Sequence, residues 1–306
     1  MNVREWALPV YTILIQMAVG MLLVLWSLRF FGSRKFGKVA IDRVVRDSLL
    51  IINTTTIFGM IGAHFHLSRP YLSFLAISNF RTSWLSREIV FTLLFFLVSA
   101  ALLFFQWFRE GHWGLKTALG WLAILFGFMA VYCMGQIYLL PTQPAWNTPL
   151  TIISFYGTVL LLGVMALATI LIMDLRFMEI RQKGVLNEWA IIVNETVKRL
   201  AVAAGAILIP VVLINLFYIH SLRTGSTLMQ TSYDLLVQLY EPLLIIRFLL
   251  LLAGVGWLVI PVAMLKRTGK SVQEIFTPVY LACLLVIVGE ILGRFLFYAA
   301  HIRTGL

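Results

Sequence analysis

Long apolar stretches alternate with short polar ones along almost the whole chain. An apolar run of about 18 residues or more has the length of a helix that crosses a bilayer. Eight such runs stand out, at about 7–31, 48–66, 89–108, 117–140, 149–173, 200–220, 242–265 and 276–300. The third is the shortest, because Arg87 and Glu88 blur its start. The pattern predicts an all-α protein, an integral membrane bundle of eight transmembrane helices, with residues 1–306 forming a single membrane domain. The first run is too long for the core of a signal peptide and no small-residue cleavage site follows it, so it is expected to be a permanent helix. No internal repeat is visible.

Two connecting stretches carry patterns of their own. Within the stretch 174–199, residues Leu186 to Val197 place apolar side chains at helical spacing, which predicts an amphipathic helix in the membrane interface. The stretch 221–241 begins polar and turns mildly apolar up to Glu241-Pro242, which reads as a lid or a docking loop. Pro242 suits the first turn of the seventh span. No connection is long enough to build a soluble domain with its own core. Elaborate redox or hydrolytic chemistry must therefore come from another subunit or from a small ligand held in the bundle.

Composition agrees with the pattern. The chain is 61% hydrophobic, against the roughly 45–50% of soluble proteins, and its mean hydropathy is +0.94. A net charge of +11 suggests nucleic acid in a soluble protein, but here its distribution follows the positive-inside rule. Sixteen of the 24 Lys and Arg residues fall on one side of the spans, among them Arg29, Arg34, Lys35, Lys116, Arg176 and Arg199, and six on the other. The heavier side is expected to be cytoplasmic, with both termini outside. The stretch Pro141–Pro149 has no Lys or Arg, as expected of an outer loop. Cys133 and Cys283 both fall within spans at no metal-binding spacing, and read as buried free thiols. Two cysteines cannot hold an iron–sulfur cluster, which usually needs four.

The candidate chemistry lies in the few ionisable residues near membrane depth, which are costly there and usually paired and functional. Counting span directions brings His66, Arg69, Arg81, Arg87, Glu88, Arg247, Glu290 and Arg294 to the outer end of one bundle. Pro70 prevents the second span from continuing as regular helix, so His66 is expected near the outer interface. There its imidazole can hydrogen-bond a quinone carbonyl or accept a quinol proton, or simply cap a helix C-terminus. Glu88 can assist in taking up protons, or favour a helix N-terminus electrostatically. Trp84 can line a headgroup pocket, although an interfacial anchor is the simpler role. Glu290 and Arg294 are four residues apart and can pair, and Gly289 and Gly293 permit close helix approach beside them. Arg247 leaves a surplus positive charge at that depth, for which Glu88 is a candidate partner. Acidic residues within the spans are expected only in the outer half, so no proton path through the inner half is apparent. The five histidines, His64, His66, His112, His220 and His301, offer no well-buried facing pair, so no haem is expected.

These residues resemble one family along the whole chain. Gln16, His66-Leu-x-x-Pro70, Leu85-Ser-x-Glu88-Ile89, Pro141–Trp146, Ile219-His220-Ser221 and Gly289-Glu290-x-x-Gly293-Arg294-x-x-Phe297-Tyr298 are similar to the membrane-anchor subunit of the bacterial dimethyl sulfoxide reductase family. The resemblance implies eight spans in the bacterial cytoplasmic (inner) membrane and oxidation of menaquinol without haem or metal in this chain. It implies two partners: a ferredoxin-like iron–sulfur electron-transfer subunit, and a molybdopterin catalytic subunit that reduces dimethyl sulfoxide or a related oxidant. It assigns quinol binding and proton uptake to His66 and Glu88. Arg69, Arg81, Trp84, Arg247, Glu290 and Arg294 complete the expected menaquinol/menaquinone site. Arg69 stands where the family has a small residue, and the connections around 174–199 and 221–241 look longer. A solute or ion transporter using the same buried charges is the competing reading, but transporters usually show inverted repeats and broken helices at the midplane. A passive anchor with no quinol site is another. No nucleic-acid partner is expected.

Overall fold

A computed structural model describes residues 3–66, 77–181, 186–268 and 276–302, with backbone alone at 3–6, 65–66, 178–181, 186–189, 265–268 and 276–277. Among the described residues the elements are α1 (Val3–Phe36), α2 (Lys38–His66), α3 (Trp84–Phe108), α4 (Trp113–Gln136) and α5 (Pro149–Arg181). There follow α6 (Leu186–Thr224), the short α7 (Thr227–Asp234), a π turn (Leu235–Leu239), α8 (Glu241–Thr268) and α9 (Phe276–Ala299). Eight of the helices are long and apolar enough to cross a membrane. Pro242 stands in the first turn of α8, as expected.

The helices outrun the apolar stretches that reveal them. Only Gly37, with φ of +81°, separates α1 from α2, so the basic stretch expected as a loop is two helix ends. Charged residues lower the hydropathy there, yet Ile41, Val44, Val45 and Ser48 keep helical spacing and are buried against the bundle. The expected interfacial helix at 186–197 is helical, but it runs without a break into the sixth span, giving the 39-residue α6. At the start of α3, the Ser86 amide donates to the Ser83 hydroxyl at 3.4 Å, an N-cap that moves the helix start back to Trp84.

α1 and α5 form the spine, packed on each other and flanked by α2, α4, α6 and α9. They cross at Gly20 and Gly163, where a Cβ on either would strike the other's backbone. That approach follows the small-residue rule for helices in lipid, where dispersion rather than the hydrophobic effect drives packing. The core runs through Leu22, Leu25, Trp26, Phe155, Leu162 and Leu171. Outside this spine, α3 pairs with α4, and α8 with α9.

A polar clasp closes the end of the bundle where α1 turns into α2, and it corrects two expectations. Arg29 is 1% exposed. It donates to Asp42 Oδ1 at 2.9 Å and to Thr117 Oγ1 at 2.8 Å, and stacks 3.5 Å from the Trp113 ring centre. Lys116 Nζ lies 3.7 Å from the same aspartate. Arg29 and Lys116, expected as loop charges, are thus buried and paired, and they bind α1, α2 and α4 together. Asp42, Asp47 and Asp174 all lie within candidate spans, so acidic residues of the spans are not confined to the outer half. Sequence reading missed them because the helices continue past the apolar runs.

At the other end, α7 and the π turn fold back onto the bundle. Leu236 packs with Ala145, Leu222, Leu296 and Ala300 in a small second core. The Ser232 hydroxyl donates to the Ala300 carbonyl at 2.9 Å, tying this cap to the end of α9. The stretch 221–241 thus packs against this end of α6, α8 and α9.

Candidate functional site

Beneath that cap, five helices contribute polar side chains at one depth. α9 supplies Glu290 and Arg294, 2% and 5% exposed. Neither Glu290 nor Arg294 takes the other as its ion-pair partner. The Thr158 hydroxyl of α5 donates to Glu290 Oε2 at 2.7 Å. Arg294 turns the other way, donating from Nη2 to Gln16 Oε1 of α1 at 2.7 Å and lying 3.5 Å over the Phe155 ring. Four-residue spacing puts both on one face, but their long side chains diverge toward different neighbouring helices. Arg247 of α8 donates from Nη1 to Asn215 Oδ1 of α6 at 2.8 Å, and does not reach Glu88. Its guanidinium lies against the backbone of α9 at Gly293. A Cβ there would come within 2.6 Å of Arg247 Cζ, so the glycine makes room for the charge.

These groups border a cavity of about 50 Å³. Thr151, Ser154 and Thr158 form one wall, Asn215 and Tyr218 another, and Ile219, Leu236 and Leu244 an apolar side. The informative feature is what its border leaves unused. Gln16 Nε2, Tyr218 OH, Arg247 Nε, Glu290 Oε1 and Arg294 Nε are buried polar atoms with no hydrogen-bond partner. All five belong to this cavity or to the side chains that brace it. An unsatisfied buried polar group costs about 1–3 kcal/mol, and more when charged. Leaving five together would cost several kcal/mol, so water or a polar ligand belongs there. The free atoms offer several donors and one anionic acceptor, on two cations and one carboxylate.

Glu88 lies elsewhere in the same half of the bundle. It is 4% exposed at the start of α3, facing Tyr11 of α1, whose hydroxyl also contacts Thr92 Oγ1 at 3.3 Å. Between Glu88 and the cavity stand Tyr138 and Tyr298, their hydroxyls 2.7 Å apart. Both are within electrostatic reach of Glu88, and Tyr298 also of Arg294. Trp146 donates to the Phe297 carbonyl at 2.8 Å and stacks on that ring, fixing the end of α9.

The structure therefore gathers Arg247, Glu290 and Arg294 and sets Glu88 behind a tyrosine pair. Arg81 is exposed on the turn before α3, and Arg87 binds the carbonyls of Phe80 and Arg81. Trp84 packs edge-on against Tyr132 of α4 beneath the Arg87 guanidinium, away from the cavity. His66 ends α2, but its side chain, like all of Arg69, lies outside the described residues. Sequence reading missed Thr158, Asn215 and Tyr218 as site residues. Their signal was available: an amide and two hydroxyls inside apolar spans, at the depth of Glu290. Among the described residues no group of three or more His, Cys, Asp or Glu side chains is placed to hold a metal ion.

An eight-helix bundle of membrane-spanning length with a charged, incompletely satisfied cavity near one end defines an integral membrane protein with a candidate binding site. The chain belongs to the DMSO reductase anchor subunit (DmsC) family, whose model matches residues 1–300. It is 30% identical over 307 residues to the anaerobic dimethyl sulfoxide reductase chain YnfH of Escherichia coli (strain K12), covering 99% of this chain and 97% of that one. It is 28% identical over 312 residues to an anaerobic dimethyl sulfoxide reductase chain of Haemophilus influenzae (strain ATCC 51907 / DSM 11121 / KW20 / Rd), covering 100% and 99%. A shorter match, 29% over 155 residues and about half of each chain, is to a sulfite dehydrogenase subunit of Allochromatium vinosum.

Proposed function

We propose that this chain is the quinol-oxidising membrane anchor of a respiratory reductase in the bacterial cytoplasmic membrane. It takes menaquinol at the outer end of the bundle. Electrons pass to an iron–sulfur subunit docked over that end and then to a molybdopterin subunit that reduces dimethyl sulfoxide or a related oxidant. Family membership and two full-length relatives named as reductase chains support the complex, and set the transporter reading aside. The match to a sulfite dehydrogenase subunit leaves the partner's substrate to experiment.

The observation that carries the quinol site is the set of unpartnered atoms around the cavity. A quinol has one hydroxyl donor at each end of a flat apolar ring, and a quinone has acceptors there. Glu290 Oε1 suits the first, and Arg247 Nε and Arg294 Nε suit the second. About 50 Å³ admits the oxygen-bearing edge of such a ring, with the remainder and the isoprenoid tail toward Ile219, Leu236 and Leu244. His66, Arg69, Arg81 and Glu88 belong to the outer rim and the proton exit, with Trp84 as an aromatic anchor.

Titration of the intact complex with a fluorescent quinol analogue tests the reading. Saturable quenching at one site per anchor subunit is expected, with competition by menaquinol. A passive anchor would show only non-saturable partition into lipid.

A further inference from the structure

Resting on the quinol reading above, we infer that Glu290 is the acceptor of the quinol's first proton and that Thr158 is the residue that positions it. The two oxygens of Glu290 are in different situations. Oε2 is held by the Thr158 hydroxyl at 2.7 Å, whereas Oε1 is buried and unpartnered on a side chain that lines the cavity. A carboxylate tethered by one oxygen presents the other in a fixed direction, the geometry general-base catalysis requires. Thr158 has a second acceptor within reach, the Ser154 carbonyl at 3.2 Å. Its one proton can serve the carboxylate before the transfer and the carbonyl after it.

The charges can also hold the anion that the transfer leaves on the ring oxygen. Arg247 is fixed by Asn215 and Arg294 by Gln16, and each guanidinium keeps a free Nε. Two cations beside one carboxylate leave a surplus positive charge at low dielectric, where electrostatic interactions are strongest. When the quinol O–H bond breaks, the proton forms an O–H bond on Glu290 Oε1. The electron pair stays on the ring oxygen, opposite the arginines. Two electrons then leave one at a time to the one-electron iron–sulfur acceptor of the partner subunit. As the ring is oxidised the second hydroxyl gives its proton to bulk water at that end of the bundle, and Glu290 passes the first proton on to the same water, which restores the carboxylate.

The test uses the membrane-bound complex with Glu290→Gln, Thr158→Val and Thr158→Ser. Glu290→Gln keeps the size of the side chain and is expected to lower quinol-driven kcat by about 10²–10³-fold, the range general-base removal gives, with analogue affinity changed by less than about 3-fold and turnover from a reduced dye kept. Thr158→Val is expected to lower kcat by about 10-fold at constant KM, with a larger solvent deuterium isotope effect, as for a misaligned proton transfer. Thr158→Ser should restore both. Quinol turnover of Glu290→Gln above about a tenth of wild type, or loss of dye-driven activity in parallel with quinol-driven activity in both Glu290→Gln and Thr158→Val, would overturn the assignment. If the analogue fails to saturate the wild-type complex, the quinol site itself is wrong, which is a different outcome.

Discussion

Replacing Glu88 with glutamine is expected to stop quinol-driven turnover almost completely while the complex still assembles. Glu88 is nearly fully buried and faces the Tyr11 hydroxyl, and glutamine keeps both its volume and its ability to accept from that hydroxyl. What is lost is a titratable group on the way out. The Tyr298–Tyr138 hydroxyl pair, 2.7 Å apart and within electrostatic reach of both Arg294 and Glu88, offers the proton a route toward that carboxylate. A fall of about 10²-fold or more is expected, the lower range for loss of a proton-transfer group, with dye-driven reduction of the terminal oxidant unchanged. His66→Gln, at the last residue of α2, should act the same way. The double variant should be little worse than either single one, because groups serving one path are not additive. Equal loss of quinol-driven and dye-driven activity would make both residues structural.

How much of this was legible in the sequence depended on chemistry that stands out against lipid. The eight spans were readable because an apolar run of that length has few other uses. Their ends were not, because hydropathy reports the bilayer core, whereas Ile41, Val44 and Val45 continue α2 as an ordinary amphipathic helix among charges. Arg247, Glu290 and Arg294 were conspicuous as ions in apolar runs. Their partners were not, because Thr158, Asn215 and Gln16 are polar without being charged, and which helix faces which is a tertiary fact. The same gap produced the expected Glu290–Arg294 pair: helical spacing gives a shared face, but neighbours decide where each side chain ends. Arg29 and Lys116 were misplaced because the aspartate that neutralises them, Asp42, lies past the edge of its apolar run.

The second large effect concerns energy conservation. With quinol oxidised at the outer end and the electron acceptor docked over that end, both protons and both electrons leave on the same side. Turnover is then electroneutral. Of Asp42, Asp47 and Asp174 at the opposite end, two are taken up in ion pairs, Asp47 with Arg46 at 3.1 Å and Asp42 with Arg29 and Lys116. Further out, Ser99 is bonded to Asn53 at 2.9 Å, and fully buried Phe95 stands on the same face of α3 between Ser99 and Thr92. That ring interrupts the polar groups leading toward Glu88. Proteoliposomes holding the complex, menaquinol and a terminal oxidant, read with a potential-sensitive dye, should show no uncoupler-sensitive signal during turnover. A sustained signal would require charge to cross the bilayer through this protein.

The central claim is that the cavity beside Arg247 and Glu290 is where the quinol binds, and Gly293 gives access to it without removing either charge. A side chain at this position must displace the Arg247 guanidinium, since even a Cβ would lie within 2.6 Å of its Cζ. Gly293→Leu would push that side chain into a cavity of about 50 Å³. The decisive measurement is the quinol-analogue titration of the complex carrying Gly293→Leu, with dye-driven activity confirming assembly. The account predicts that saturable binding falls by at least about 100-fold, roughly 2.7 kcal/mol. Unchanged analogue affinity in the assembled variant would contradict it and place the quinol elsewhere.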